Sequence, residues 1–94
     1  MRRRKVRFLP LYFFLPLLRN REVAQRILSS GRPLSPEEKE YLEDVVRQGE
    51  RAERILRRAG YFEAGPRGEL LRKYGILTES DEEALEILKT LGSD

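Results

Sequence analysis

The longest regular pattern of apolar and polar positions runs from Ser35 to Gly60. Its apolar or small residues recur every three or four positions, at Leu42, Val45, Gly49, Ala52, Leu56 and Ala59. This spacing places them on one face of a helix. Ser35 is a preferred N-cap, Pro36 suits the first helical position, and Glu38 completes a capping box. The pattern therefore predicts a long helix over residues 36–59 with a buried seam, ended by Gly60.

Shorter patterns predict three further helices, over residues 20–30, 69–74 and 81–91. Asn20 caps the first, although Pro16 could instead open a longer helix through Leu17 and Leu18, and Gly75 ends the second. Ser80 opens the last with another capping box to Glu83. We expect an all-α fold: a small four-helix domain with a long central helix at about 36–59 and an apolar, proline-interrupted N-terminal segment packed on it. Residues 1–7 are expected to form a mobile basic arm, and residues 8–94 a single helical domain.

The segment over residues 8–18, FLPLYFFLPLL, is apolar except for two prolines and one phenol. Eleven residues are too few to span a bilayer as a helix, which needs about 20. Pro10 and Pro16 predict an extended or kinked segment, with some side chains facing inward and others facing a partner. The candidate partner-binding residues are Phe8, Leu11, Tyr12, Phe13 and Leu15. Tyr12 is the best outward candidate, because its hydroxyl tolerates an interface rim better than a dry core.

Basic residues form two groups that are candidates for contacts with phosphates or with an anionic surface. The arm holds Arg2, Arg3, Arg4, Lys5 and Arg7. The long helix carries a row at Arg47, Arg51, Arg54 and Arg58. The row has a simpler explanation, which we favour: Glu43–Arg47, Glu50–Arg54 and Glu53–Arg57 stand in the favourable order for ion pairs four residues apart. Such pairs would make it a solvated, self-neutralised face.

The amino-acid composition excludes several kinds of catalytic and binding site. The 94 residues include no cysteine and no histidine, which removes disulfides, thiol nucleophiles and the commonest general base. The carboxylates stand in helix first turns and charge pairs, so we expect no enzyme, metal site or cofactor. Residues 69–91 resemble a helix-turn-helix in outline only, because the second helix begins with Asp81, Glu82 and Glu83, which DNA would repel. Few thermolabile residues beside many Arg and Glu are typical of a thermophilic source.

Charge is spread unevenly although the net charge is only +3. Residues 1–28 hold eight basic residues and one acidic residue, a net +7, whereas residues 77–94 hold one basic and six acidic residues, a net −5. Such a chain suits head-to-tail association or an anionic partner for the N-terminal region.

These patterns together predict a small non-catalytic binding or assembly protein that docks on a protein partner or on itself. The apolar segment and the basic arm would form its docking surface. Two alternatives remain open: a nucleic-acid-binding accessory protein without base specificity, and peripheral attachment to an anionic membrane surface. We expect no small-molecule substrate. The expected location is the cytoplasm, with membrane association as the alternative.

Overall fold

The computed structural model of the chain describes residues 7–92. In that range it contains four helices and one two-stranded sheet, so the predicted all-α fold with four helices is confirmed. The helices are α1 (Leu11–Ser29), α2 (Pro36–Ala59), α3 (Pro66–Tyr74) and α4 (Asp81–Gly92). The strands are β1 (Arg7–Phe8) and β2 (Ile76–Leu77).

The long helix α2 has the predicted bounds, and its predicted N-terminal cap is present. The backbone N–H of Glu38 donates to Ser35 Oγ at 3.1 Å, and the N–H of Ser35 donates to Glu38 Oε1 at 3.0 Å. Each side chain thus satisfies a donor that the first turn leaves without an intrahelical partner. The bond from the Ser35 backbone, with a smaller contribution from the hydroxyl, lowers the pKa of Glu38.

The first helix corrects the prediction for the apolar segment. Residues 11–18 are helical rather than extended, and α1 begins at Leu11 rather than near Asn20. Pro10 precedes the helix, where a proline costs no hydrogen bond. Pro16 lies inside it and removes only the N–H that would bond to the carbonyl of Tyr12. Because Tyr12 is highly exposed, water can hydrate that carbonyl, and the helix continues through the proline.

Two smaller features also differ from the prediction. Helix α3 begins at Pro66 rather than at Glu69, because a proline suits the first turn as well as it suits a loop. The residues expected to be simple connectors at 76–77 form β2, which pairs antiparallel with β1. Arg7 lies opposite Leu77, and Phe8 opposite Ile76. Strands of two residues are too short for an alternating pattern to reveal.

The chain divides into two compact units, and α2 contributes residues to both. The first unit is Leu11–Ile55. Its buried residues are small: Ala24 on α1, and Gly49 and Ala52 on α2. A Cβ added to Gly49 would overlap the Cβ of Arg21 and would lie 2.9 Å from the carbonyl oxygen of Leu17. The two helices therefore meet at a position where only glycine fits.

The second unit comprises residues 7–10 and 56–92 of the described chain. Leu56, Leu70 and Leu71 are its fully buried large side chains. Leu70, Ile76 and Ala84 form one apolar cluster, with Ile87 and Leu88 packed against it. Leu56 belongs to the predicted seam of α2, in which Gly49, Ala52 and Leu56 are buried and the other three positions are partly buried.

Arg72 of α3 forms hydrogen bonds with the loop that follows α2. Arg72 Nη1 donates to the carbonyl oxygens of Tyr61 at 2.6 Å and Glu63 at 2.9 Å. The Glu63 carbonyl lies so close to Gly68 that a Cβ there would overlap it. Gly75 then ends α3 in the left-handed conformation, with its N–H bonded to the carbonyl of Leu71. The loop is therefore held to α3 by hydrogen bonds from the Arg72 side chain to its backbone carbonyls.

Candidate functional site

The outer face of α1 is the exposed side of that helix, opposite the side that meets α2. It consists of Tyr12, Pro16, Arg19, Val23 and Arg26, all exposed. Their spacing of four, three, four and three residues keeps them on one side of the helix. The inward side is marked by buried Ala24 and by Arg21, whose guanidinium donates to Glu53 Oε1 on α2 at 2.7 Å. Helix α1 thus presents an unbroken solvent-facing surface.

Aromatic side chains are concentrated at the N-terminal end of α1, on the outer face at Tyr12 and beside it at Phe13 and Phe14. Tyr12 is 85% exposed and Phe13 is 57% exposed. Leu11, Phe14 and Leu15 are partly buried. The rings of Phe13 and Phe14 contact each other edge to face, with centroids 5.3 Å apart. We call Leu11, Tyr12, Phe13 and Leu15 the aromatic end of α1.

The aromatic end contains four of the five residues predicted to bind a partner. Tyr12 faces solvent, as the sequence predicts, and the adjacent rings of Phe13 and Phe14 differ in exposure. The fifth residue, Phe8, belongs to the other unit, where it stands in β1 and is 66% exposed. The sequence also implied that residues 8–18 form one continuous segment, whereas the structure divides them between a strand and a helix.

The outer face extends beyond the predicted residues. Arg19, Val23 and Arg26 lie on it in line with Tyr12, and Val23 is 50% exposed. The helical period counted from Tyr12 would have found these three residues. The prediction missed them because it began the helix at Asn20 and so assigned no helical phase to the residues before it.

The basic row on α2 is exposed, but its expected ion pairs are largely not formed. Arg47 lies 3.4 Å from Asp44 rather than beside Glu43. Within residues 7–92, Arg51, Arg54 and Arg58 have no ion-pair partner, and neither do Glu43 and Glu50. The interpretation of the row as a self-neutralised face is therefore wrong for Glu43–Arg47 and Glu50–Arg54.

The basic arm falls largely outside the described residues. Its members Arg2, Arg3, Arg4 and Lys5 are not described by the structure. Arg7 is exposed and stands in β1. The predicted contacts of the arm with an anionic partner remain a prediction.

Two absences among the described residues concern metal binding and membrane crossing. Between residues 7 and 92, no three His, Cys, Asp or Glu side chains are grouped so as to hold a metal ion. No helix in the same range combines the length and apolar character needed to cross a bilayer.

Comparison of the chain with known proteins adds no assignment: no family model, no curated protein and no solved structure matches it.

Proposed function

We propose that this protein is a non-catalytic binding protein that docks on a protein partner through the outer face of α1, with the aromatic end as the anchor. The observation that carries the proposal is the exposure of Tyr12 and Phe13 on one turn of a helix. Neighbouring large apolar side chains of α1, such as Phe14 and Leu15, are partly buried, so Tyr12 and Phe13 offer the most exposed large apolar surface at this end of the helix.

Energetics favour a partner for these side chains. Burying a large apolar side chain contributes roughly 1.5–3 kcal/mol. Aromatic residues are enriched among the few side chains that dominate binding energies, because they bury a large area and have few rotatable bonds. A partner with an apolar pocket for Tyr12 and Phe13 would therefore gain much of its affinity from one turn of helix.

The rest of the outer face has the composition of an interface rim. Arg19 and Arg26 flank Val23 on the same side of the helix. Interfaces commonly surround an apolar centre with polar and charged residues, and arginine is enriched there. We expect the partner to present acidic side chains beside its apolar pocket.

Site-specific photo-crosslinking tests the proposal. A benzophenone amino acid is placed at Tyr12 in one variant and at Tyr74 in a control variant. Tyr74 is also an exposed tyrosine on a helix, at 45%. We expect ultraviolet irradiation in an extract of the source cells, and of the purified protein, to give discrete protein adducts from position 12 and not from position 74.

Two results would count against docking on a protein partner. The absence of protein adducts from position 12, in the extract and in the purified protein, would contradict the proposal. Co-sedimentation of the variant Tyr12→Ser/Phe13→Ser with anionic vesicles, compared with the wild type, tests the membrane alternative. Vesicle binding that depends on these two side chains, without protein adducts, would assign the face to a lipid surface.

A second candidate function rests on Arg51, Arg54 and Arg58, which are exposed and have no ion-pair partner within residues 7–92. Such a row could contact successive phosphates of a nucleic acid. Binding to mixed-sequence DNA and RNA would then weaken steeply with salt, with a log–log slope of about −0.9 per phosphate contacted on duplex DNA. No binding at ~50 mM salt would exclude it, since the electrostatic attraction is strong there.

A further inference from the structure

Helix α2 carries a row of charged residues that neither the fold nor the docking face on α1 uses. Its members are Glu37, Glu40, Asp44, Arg47, Arg51, Arg54 and Arg58, all exposed. They alternate at spacings of three and four residues, the spacing by which helices present one side to another helix. We call this set the charged seam of α2. The seam lies away from Gly49 and Ala52, which face α1.

The sign of the charge changes once along the seam, at the middle of the helix. The three N-terminal members are acidic and the four C-terminal members are basic. Arg47 and Gln48 are the two central residues of the 24-residue helix. The helix dipole favours acids at the start and bases at the end, but its influence fades beyond the first and last turns. It explains Glu37 and Arg58, and it does not explain Asp44 or Arg51 near the centre.

Ion pairs within the helix do not account for the seam either. Asp44 and Arg47 are 3.4 Å apart, a loose pair, and the amide of Gln48 donates to Asp44 at 2.9 Å. Within the described residues, Glu37, Glu40, Arg51 and Arg54 have no ion-pair partner. The seam therefore presents charges that are separated by sign and mostly unneutralised.

We infer that the charged seam is a self-complementary surface on which a second copy of this chain docks, with the two α2 helices antiparallel about a two-fold axis near Arg47 and Gln48. A two-fold axis brings the acidic half of each seam opposite the basic half of the other. Asp44 lies as far before the helix centre as Arg51 lies after it. In the dimer each Asp44 therefore faces the partner's Arg51, and the Glu37 and Arg58 positions match in the same way.

The surface has room for the side chains of a second helix. Two adjacent shallow depressions run along this side of α2: one is lined by Glu37, Glu40, Tyr41, Asp44 and Arg47, and the other by Asp44, Arg47, Gln48, Glu50, Arg51 and Arg54. Tyr41 is 68% exposed at the edge of the first depression. At the antiparallel register it lies opposite the partner's Arg54, where a tyrosine ring can receive a guanidinium on its face.

A second copy fits this surface better than a nucleic acid does. A polyanion lying along the seam would pass over the acidic half, and Asp44 is only one helical turn from Arg47. Like charges placed opposite each other cost several kcal/mol at an interface. A copy of the same helix, reversed, places Asp44 opposite Arg51 and Glu37 opposite Arg58 on both sides of the axis. This surface lies on a different helix from the proposed docking face, so the dimer goes beyond the proposed function.

Charge-reversal variants test the dimer. Asp44→Arg places arginine opposite the partner's Arg51, and Arg51→Asp places aspartate opposite the partner's Asp44. By sedimentation velocity at ~20 mM salt, where screening is weak, we expect the wild type to reach twice its 11.1 kDa mass. Each variant alone should dimerise roughly tenfold more weakly or worse, since both symmetric contacts become repulsive. Glu79→Arg, a reversal at an exposed loop residue, should dimerise like the wild type.

Mixing the two variants gives the decisive result. Asp44→Arg and Arg51→Asp should form a one-to-one heterodimer, because each new charge then meets its opposite. Circular dichroism confirms that each variant is folded. A wild type that stays monomeric at ~1 mM, or single variants that dimerise like the wild type, would overturn the dimer. So would a mixture that does not associate. Because none of these variants touches Tyr12 or Phe13, adducts from position 12 test the proposed function separately.

Discussion

The two units of the chain have different kinds of residue in their interiors. Residues 7–10 and 56–92 enclose large side chains, with Leu56, Leu70 and Leu71 fully buried. The unit Leu11–Ile55 buries only small residues and brings its helices together at Gly49. Residues 7–10 and 56–92 therefore have large side chains in their interior, whereas Leu11–Ile55 has no fully buried large side chain; both units keep some large apolar side chains exposed.

This difference shows how a small chain can be stable and still present an apolar surface. Helices that meet at glycine and alanine approach closely, so the remaining contacts are made by backbone and by partly buried side chains. Tyr12 and Phe13 are the large side chains of α1 that stay most exposed to solvent. Such an exposed aromatic pair is unfavourable in isolation, and a binding partner would remove that cost.

The largest expected loss of stability tests the unit that buries large side chains. Leu56 is 0% exposed, so Leu56→Asp would bury a charge without a partner. We expect a loss of roughly 3 kcal/mol or more in the free energy of unfolding. Urea denaturation followed by circular dichroism measures it. Leu85→Asp, at a residue 46% exposed on α4, is the control and should lose much less. Equal stabilities of the two variants would mean that Leu56 is not the interior anchor.

The next effect tests the close approach in the other unit. Alanine at position 49 would overlap Arg21 and crowd the carbonyl of Leu17, which forces α1 away from α2. Alanine favours a helix over glycine by up to about 1 kcal/mol, and we expect the overlap to outweigh that gain, with a net loss of about 1–2 kcal/mol. Gly92→Ala is the control, because nothing lies within 4 Å of a Cβ there. A Gly49→Ala variant more stable than the wild type would show that the helices separate freely at this point.

Helix capping gives a smaller effect with a distinctive pH dependence. Ser35→Ala removes the hydroxyl that accepts from Glu38, and we expect a loss of about 1 kcal/mol at pH 7. Glu38 has a pKa below its ordinary value of 4.5 in the folded protein. The stabilisation that ionised Glu38 gives to the folded protein is therefore fully present when the pH is above the ordinary pKa. It is lost as the pH falls through the lowered pKa of the folded state.

Thermal melts of wild type and Ser35→Ala between pH 7 and pH 3 measure this dependence. The stability gap between them should narrow slightly towards the acidic end, because the variant keeps the backbone N–H of residue 35 and loses only the smaller hydroxyl contribution to the lowered pKa of Glu38. A gap that is constant with pH would show that the two halves of the capping box act independently.

The smallest of these effects concerns the ion pair between α1 and α2. Arg21 and Glu53 are 2.7 Å apart, with side chains 21% and 33% exposed. We expect a coupling of about 0.5–1 kcal/mol from a double-mutant cycle with Arg21→Ala and Glu53→Ala. The same cycle at high salt should give a smaller coupling free energy, because salt screens the two charges. A coupling of several kcal/mol would mean that charge, rather than close approach at Gly49, holds the two helices together.

Helix capping and apolar spacing carried most of what the sequence could predict. Ser35 and Ser80 marked the starts of α2 and α4, and both hydroxyls accept the predicted backbone N–H. Gly60 and Gly75 marked two ends, and both have positive φ. These signals are local, so they can be read without knowledge of the fold.

The failures have a common physical origin. Pro16 was taken to interrupt the apolar segment, but α1 continues through it, and the carbonyl that loses its N–H partner belongs to the exposed Tyr12. The pairs Glu43–Arg47 and Glu50–Arg54 were inferred from spacing alone, yet exposed long side chains gain little from pairing.

One measurement tests the proposed docking face most directly: the free energy of unfolding of the double variant Tyr12→Ser/Phe13→Ser, determined by urea denaturation against the wild type. If both side chains serve a partner rather than the interior, we expect the variant to stay within about 0.5 kcal/mol of the wild type. A loss of roughly 3 kcal/mol or more, as aromatic core residues give on truncation, would contradict the proposal, because it would place Tyr12 and Phe13 in the interior.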